Sequence, residues 1–330
     1  MDAVVERLLA SSEPSIRLRT RTEILGEPLA SERARAAQEE IKRSTRVRLL
    51  LSERVGGIIP YHPYAKWYGA HWVLSVLADL GYPKNDRSLI PLREQVYEWL
   101  FSKAHLDHAR KQEAYAGPTA KSHGLFRAHA SMEGNAAYYL QVLGLADDRT
   151  KDLADRLVEW QWPDGGWNCD RGPGVHTSSF TESLLPLRGL TFQRARSTYR
   201  GAVGRAVEYF LERRLFRRKH DSRIISERFT KLHYPCYWHY DILFGLKVMK
   251  EAGSLRDERC ADALSLLRSK ALESGGFPAE EAYYRGVRAK SGRSLVDWGG
   301  TSRREMNEFV TCDALGVLGP PSRWPSTQAE

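Results

Sequence analysis

The sequence predicts an all-α fold, an α/α toroid of about five to six pairs of inner and outer helices. Three observations carry this. Apolar stretches recur, each running into a glycine; amphipathic stretches alternate with them; and Trp160-Gln-Trp-Pro-Asp-Gly-Gly-Trp167 marks a junction between the two kinds. Alternation of period two is nearly absent, so no strand pattern competes.

In chain order, residues 1–50 read as two or three short amphipathic helices, with EPSIRLRTRTEILGEP similar to a HEAT-type hairpin. They are expected to form an N-terminal extension packed on a ring made by residues 51–330. Inner helices are expected at 66–80, 129–143, 176–188, 237–252 and 306–318, closed by Gly81, Gly144, Gly189, Gly253 and Gly319, since a helix often leaves through a left-handed residue. These glycines stand 45 to 66 residues apart, room for two helices and their loops. Stretches at 88–104, 149–161, 198–216 and 257–272 carry charge along one face and are expected outside. The turns Val55-Gly-Gly-Ile58, Asp164-Gly-Gly-Trp167 and Ser274-Gly-Gly-Phe277 permit tight reversals, and the apolar residue after each pair is placed to plug the ring. Asp147-Asp148, before an outer helix, reads as a helix cap.

With 42% hydrophobic and 28% charged residues in 330, the composition is that of an ordinary globular protein. No run approaches the roughly 20 apolar residues a membrane helix needs. The start MDAVVERLLASSEPS carries acids where a leader carries basic residues, so a cytoplasmic protein is expected. Cys169, Cys236, Cys260 and Cys312 form no CxxC pair, so reduced thiols are expected. The net charge of +9 comes with arginines at spacings of solvated helix faces and with no nucleic-acid motif, so nucleic acid is not an expected partner.

Inner helices of such a ring run the same way, and their N-terminal ends converge on one mouth. Those ends hold Lys66, Trp67 and His71; His129, Glu133 and Asn135; His176 and Thr177; Trp238, His239 and Asp241; and Asn307, Glu308, Thr311 and Asp313. Asp241 is the leading acid or base, Glu133 the second, and His239 and His176 their companions, because an apolar setting raises a carboxyl pKa toward neutrality. Trp67, Trp72, Tyr138, Phe180, Trp238 and Tyr240 offer an aromatic wall. His71, His129, Asn307 and Asp313 add polar contacts. The loop 286–304 ends in Arg303 and Arg304, placed to clamp an anionic group, and Tyr115 to Ser122 offers a second rim segment.

Gln161-Trp-Pro-Asp-Gly-Gly-Trp167, with helix starts such as VHTSSFTESLLPLRGL and NEFVTCDALGVL, resembles the repeat of terpenoid cyclases and protein prenyltransferase β subunits over roughly residues 55–319. The resemblance implies an isoprenoid or other hydrophobic small molecule in a central aromatic pocket. The chain departs from both chemistries. It lacks the DxDD acid of squalene-type cyclases, and it lacks the Asp-x-Cys zinc pair of prenyltransferases, for which Cys312-Asp313 has the wrong order. No cofactor is therefore predicted. Cys236 and His239, three apart, are the weak candidates for zinc. Trp167-Asn-Cys-Asp-Arg-Gly-Pro-Gly174 loosely echoes a zinc turn of lanthionine-cyclase-like toroids, whose Cys-His-Gly partner here reads Ser122-His123-Gly124. The expected function is binding or conversion of a hydrophobic small molecule, with a noncatalytic scaffold or a polysaccharide lyase or hydrolase as alternatives.

Overall fold

A computed structural model describes residues 2–109, 125–172, 174–193 and 197–324. Its helices are α1 (Ala3–Leu9), α2 (Pro14–Arg19), α3 (Glu32–Arg43), α4 (Thr45–Leu50), α5 (Ala70–Asp79), α6 (Ile90–Leu100), α7 (Lys103–Ala109), α8 (Ala130–Val142), α9 (Asp148–Trp160), α10 (Phe180–Thr191), α11 (Ser197–Leu211), α12 (Ile242–Glu251), α13 (Ala261–Arg268) and α14 (Glu308–Leu318). A π-helical turn, Thr20–Ile24, continues α2. Pairing of β type among the described residues is limited to isolated bridges. The protein is all-α, and no described helix is long and apolar enough to cross a membrane.

Burial separates the helices as their sequences foretell. Positions 70 to 78 of α5 are all buried, as are most of α8, α10 and the Phe309 to Gly316 stretch of α14. By contrast, α9 buries only a stripe, Thr150, Leu153, Ala154, Leu157 and Trp160, and α3 buries Ala34, Ala37 and Ile41. Contacts run in order: α5 with α8, α8 with α10, α10 with α12, and α12 with α14. The amphipathic helices pack against these, α9 on α8 and α11 on α10.

The helix starts fall later than periodicity alone places them, because the capping residues decide them. Asp241 accepts from the Phe244 amide and Asn307 from those of Phe309 and Val310. Lys66, Trp67, His176, Thr177, Trp238 and His239 consequently lie in the preceding loops. Asp147 caps α9, as expected for the Asp147-Asp148 pair, and the structure shows it in a capping box with Thr150.

Gly81, Gly144, Gly253 and Gly319 have positive φ after their helices. Gly189 departs from the expectation: α10 runs through it to Thr191. Its role is close approach. A Cβ at Gly189 would lie 2.3 Å from the Gly134 carbonyl oxygen, and one at Gly134 would lie 2.3 Å from the Pro186 nitrogen, so two glycines let α8 and α10 touch backbone to backbone. Of the three residues expected to plug turns, Trp167 and Phe277 are buried and Ile58 is exposed.

The N-terminal helices are built into the core. Val4, Leu8, Ile16 and Ile41 join the same apolar cluster as the later helices. α2 and the π turn pack on α14, while Gln38 donates to the Gly81 carbonyl beyond α5. Residues 1–50 thus pack on the last of the buried helices and reach the turn that follows the first.

Candidate functional site

The Trp160–Trp167 turn is a fastener for three helices. The Trp167 amide donates to Ser183 Oγ of α10 at 2.9 Å, and that hydroxyl donates back to the Trp167 carbonyl at 3.2 Å. The Trp167 indole donates to the Leu157 carbonyl of α9, and Gln161 donates to the Ala202 carbonyl of α11. Gly165, at φ 95°, passes so close to Arg205 that a Cβ would sit 2.2 Å from its carbonyl oxygen. Asp164 accepts from the Ser178 amide, and Asn168 donates to the Thr177 carbonyl, which ties down the next loop.

That fastening delivers Cys169 to the start of α10. Its Sγ lies 3.5 Å from Glu182 Oε1, and His129 Nδ1, at the N-cap of α8, lies 3.6 Å from the same oxygen. All three donor atoms fall within 4.8 Å of one another. The other Glu182 oxygen accepts from the Ser131 amide, fixing the carboxylate. Hydrogen bonds with Cys169 and Glu182 push the half-exposed His129 imidazole up to about 10, outweighing its partial burial.

A cavity of about 340 Å³ adjoins this cluster, lined by His62, Tyr64, Trp99, His105, His129 and Met132 among others. Burial, then the nearby Glu182 and Cys169, push the Tyr64 phenol above its ordinary range. On the same wall His105 Nε2 lies 2.7 Å from Oε1 of fully buried Glu133, and Arg156 stands 3.8 Å from that oxygen. Among the described residues Glu133 Oε2 has no hydrogen-bond partner. Of the expected mouth residues, His129 lines this cavity and Glu133 is tied to it through His105.

The remaining expected residues sit elsewhere. Asp241 is consumed by structure: besides the Phe244 amide it accepts from the His233 amide at 2.9 Å, contacts His233 Nδ1 at 3.1 Å and accepts from Cys236 Sγ at 3.4 Å. His239 lies in a stack, 3.5 Å centroid to centroid from Tyr283 and 4.3 Å from Trp238, and burial pulls its imidazole down to about 4. Its Nδ1 contacts the Cys236 carbonyl oxygen, and Cys236 Sγ points to Asp241, so Cys236 and His239 do not converge as metal ligands. His176 is exposed in the loop before α10.

His71 is fully buried between Tyr139 at 3.1 Å and Asn135 at 3.2 Å. Trp67 stacks on Tyr237 at 4.0 Å and meets Trp72 edge-on. Phe180 and Tyr240 belong to a packed aromatic group with Phe210 and Phe229. These rings serve as core; the space beside Asn135, Asp241 and Cys236 amounts to about 30 Å³, the room of a single water. Arg303 and Arg304 are exposed, and Asn307 is a buried cap. Residues 115–124 lie outside the described residues.

Tyr138 and Asp313 belong to the other ends of the buried helices. Tyr138 accepts from Arg188 at 2.7 Å and donates to Asp79 at 3.1 Å. Asp313 pairs with Arg19 and with Lys247 at 2.9 Å. Burial works to raise the Asp313 carboxyl, and these two cations outweigh it, holding the acid below its ordinary range.

Sequence reading missed Glu182, His105 and Tyr64, and it reached Cys169 only through the zinc-turn echo of Trp167–Gly174, without the partners His129 and Glu182 that the structure brings to it. Glu182 sits inside an apolar helix, and no local pattern marks it. All four cysteines are free thiols. Comparison with models of known protein families finds no match, and a search of curated proteins finds none.

Proposed function

We propose that the chain is an α/α toroid of the terpenoid-cyclase and prenyltransferase-like type, with α5, α8, α10, α12 and α14 as inner helices. Its working site lies at the N-terminal ends of α8 and α10, where His129, Cys169 and Glu182 hold a divalent zinc-like cation beside a cavity for a hydrophobic small molecule. One observation carries this reading. Tetrahedral zinc bonds of about 2.0–2.3 Å set ligand-to-ligand edges near 3.3–3.8 Å, and the Cys169–Glu182 and His129–Glu182 separations are 3.5 and 3.6 Å.

Imidazole, thiolate and carboxylate together suit a cation of borderline softness, and three protein donors leave a fourth position for substrate. A bound zinc would supply Lewis acidity and keep a substrate thiol or water deprotonated near neutral pH. The chain's own groups do the rest. Trp99 and Met132 present an apolar surface to the substrate, and the Ser131 amide keeps Glu182 oriented. Glu133 holds His105 by Nε2 and leaves Nδ1 as the ring atom that gives or takes a proton. Glu133 is then a positioning residue.

The tightly filled centre supports a second reading, a noncatalytic binding protein on the same scaffold. Metal analysis separates the two. Protein purified without chelator is expected to carry about one equivalent of zinc, and cobalt substitution to give a thiolate charge-transfer band that Cys169→Ser abolishes. Wild-type protein that binds neither metal would remove the catalytic reading.

A further inference from the structure

At the C-terminal ends of the buried helices, away from the His129 cluster, a cavity of about 420 Å³ opens to solvent. That volume lies within the range of small-molecule sites. Its floor is charged. Arg19 of α2, Asp79 of α5, Arg188 of α10, Lys247 of α12 and Asp313 of α14 meet there, with Tyr138 of α8 between them. Its upper wall is apolar, formed by Leu18, Val142, Val317 and the exposed Leu29.

The charges on this floor do not cancel. The cavity is lined by five cations, Arg19, Lys84, Arg188, Lys247 and Lys250, against four acids, Glu23, Asp79, Glu251 and Asp313, a net of +1. The pairing is nearly complete for Arg188, which donates to Glu251 and Tyr138 and faces Asp79 at 3.0 Å. It is incomplete for Arg19. Its Nε and Nη2 bind Glu23 and Asp313, while Nη1 is buried with no acceptor among the described residues, in a residue that is 3% exposed. An unsatisfied donor on a buried guanidinium is costly, and such groups are ordinarily matched by an acceptor. Lys247 spends one of its three N–H groups on Asp313 and lines the same floor.

We propose that this well is a binding site for an organic monoanion, a carboxylate on an apolar body. The carboxylate would sit beside the Arg19–Asp313–Lys247 cluster, accepting from the N–H groups of Lys247 that Asp313 does not take and, once the guanidinium turns toward the cavity, from Arg19 Nη1. The apolar body would lie along Leu18, Leu29, Val142 and Val317. Lys84, exposed at the rim, adds attraction as the ligand enters. A dianion is disfavoured by Asp79, Glu251, Glu23 and Asp313, which neutralise all but one of the positive charges. The proposal stands independently of the metal site, because the two cavities share no residue.

The test is isothermal titration of the full chain with octanoate, octanol and inorganic phosphate. Octanoate is expected to bind one to one, octanol at least about tenfold more weakly for want of the charge-assisted bond, and phosphate not measurably. Arg19→Lys keeps a positive charge beside Asp313 but removes the unpaired nitrogen, and is expected to weaken octanoate about tenfold. Should that variant fold poorly by near-ultraviolet circular dichroism, the rim variants Leu29→Glu and Lys84→Glu, both at exposed positions, carry the same test. Chelator-treated protein is expected to bind octanoate as untreated protein does. Equal binding of octanol and octanoate, no octanoate binding by wild type, or full affinity in the folded variants overturns the proposal.

Discussion

The Trp167 amide and the Ser183 hydroxyl hold each other across the start of α10, the amide donating to Oγ and Oγ donating back to the Trp167 carbonyl. Cys169 follows Trp167 by two residues and Glu182 precedes Ser183 by one, so one reciprocal pair sets the distance between two proposed ligands. Ser183→Ala leaves a buried N–H without a partner and is expected to destabilise the protein by about 1–3 kcal/mol. It is also expected to weaken cobalt binding while Cys169, His129 and Glu182 all remain. Calorimetry and the cobalt band read the two effects, and unchanged metal affinity would show that the fastening does not position the site.

Much of the fold is legible in the sequence because burial imposes a pattern. Helices α5, α8, α10, α12 and α14 are apolar nearly all round, and α9 shows a single stripe. What escapes is decided by single contacts. Gly189 reads as a helix stop, and only the neighbouring backbone of Gly134 reveals it as a crossing point. His129, Cys169 and Glu182 stand 40 and 13 residues apart in sequence, spacings set by loop and helix lengths that no local period encodes. Asp241 looks like an acid in an apolar helix because capping is invisible until the helix start is known.

Gly134→Ala tests that crossing. The added Cβ would meet the Pro186 nitrogen at 2.3 Å, a backbone atom on a neighbouring helix with no rotamer to yield. The loss is expected to be about 1–3 kcal/mol or more. Chemical denaturation measures it, and an unchanged midpoint would mean that α8 and α10 are not held so closely.

His71 predicts a pH window. Burial, with a smaller contribution from His105, pulls its imidazole down to about 3. A depressed base binds its proton in the unfolded chain first, so folded stability is complete above about pH 6.5. It then falls by up to about 1.4 kcal/mol for each pH unit down to that folded value. His71→Gln is expected to flatten the stability profile between these limits, whatever it does to the absolute value. A profile of equal slope in both proteins would assign acid sensitivity elsewhere.

Arg188 is fully buried while Asp79 and Glu251 are 25% and 22% exposed at their side chains. Arg188→Met leaves two acids facing an apolar group. The partial exposure of those acids lets water relieve some of the penalty, so the expected loss is nearer 3 than 5 kcal/mol. Adding Asp79→Asn and Glu251→Gln should recover a substantial part of it, and a fully additive triple variant would show that the three side chains do not act as a unit.

The contacts that join the first helices to the last bear on the order of folding. Ser11 donates to Glu308 and Arg19 pairs with Asp313, partners 297 and 294 residues apart along the chain. Such contacts close loops of nearly the whole described length and are slow to form. As the chain emerges from synthesis, residues 1–50 are made well before α14 yet wait for it to complete their apolar contacts. The protein is therefore expected to close like a clasp, with residues 1–50 among the last to reach their final places.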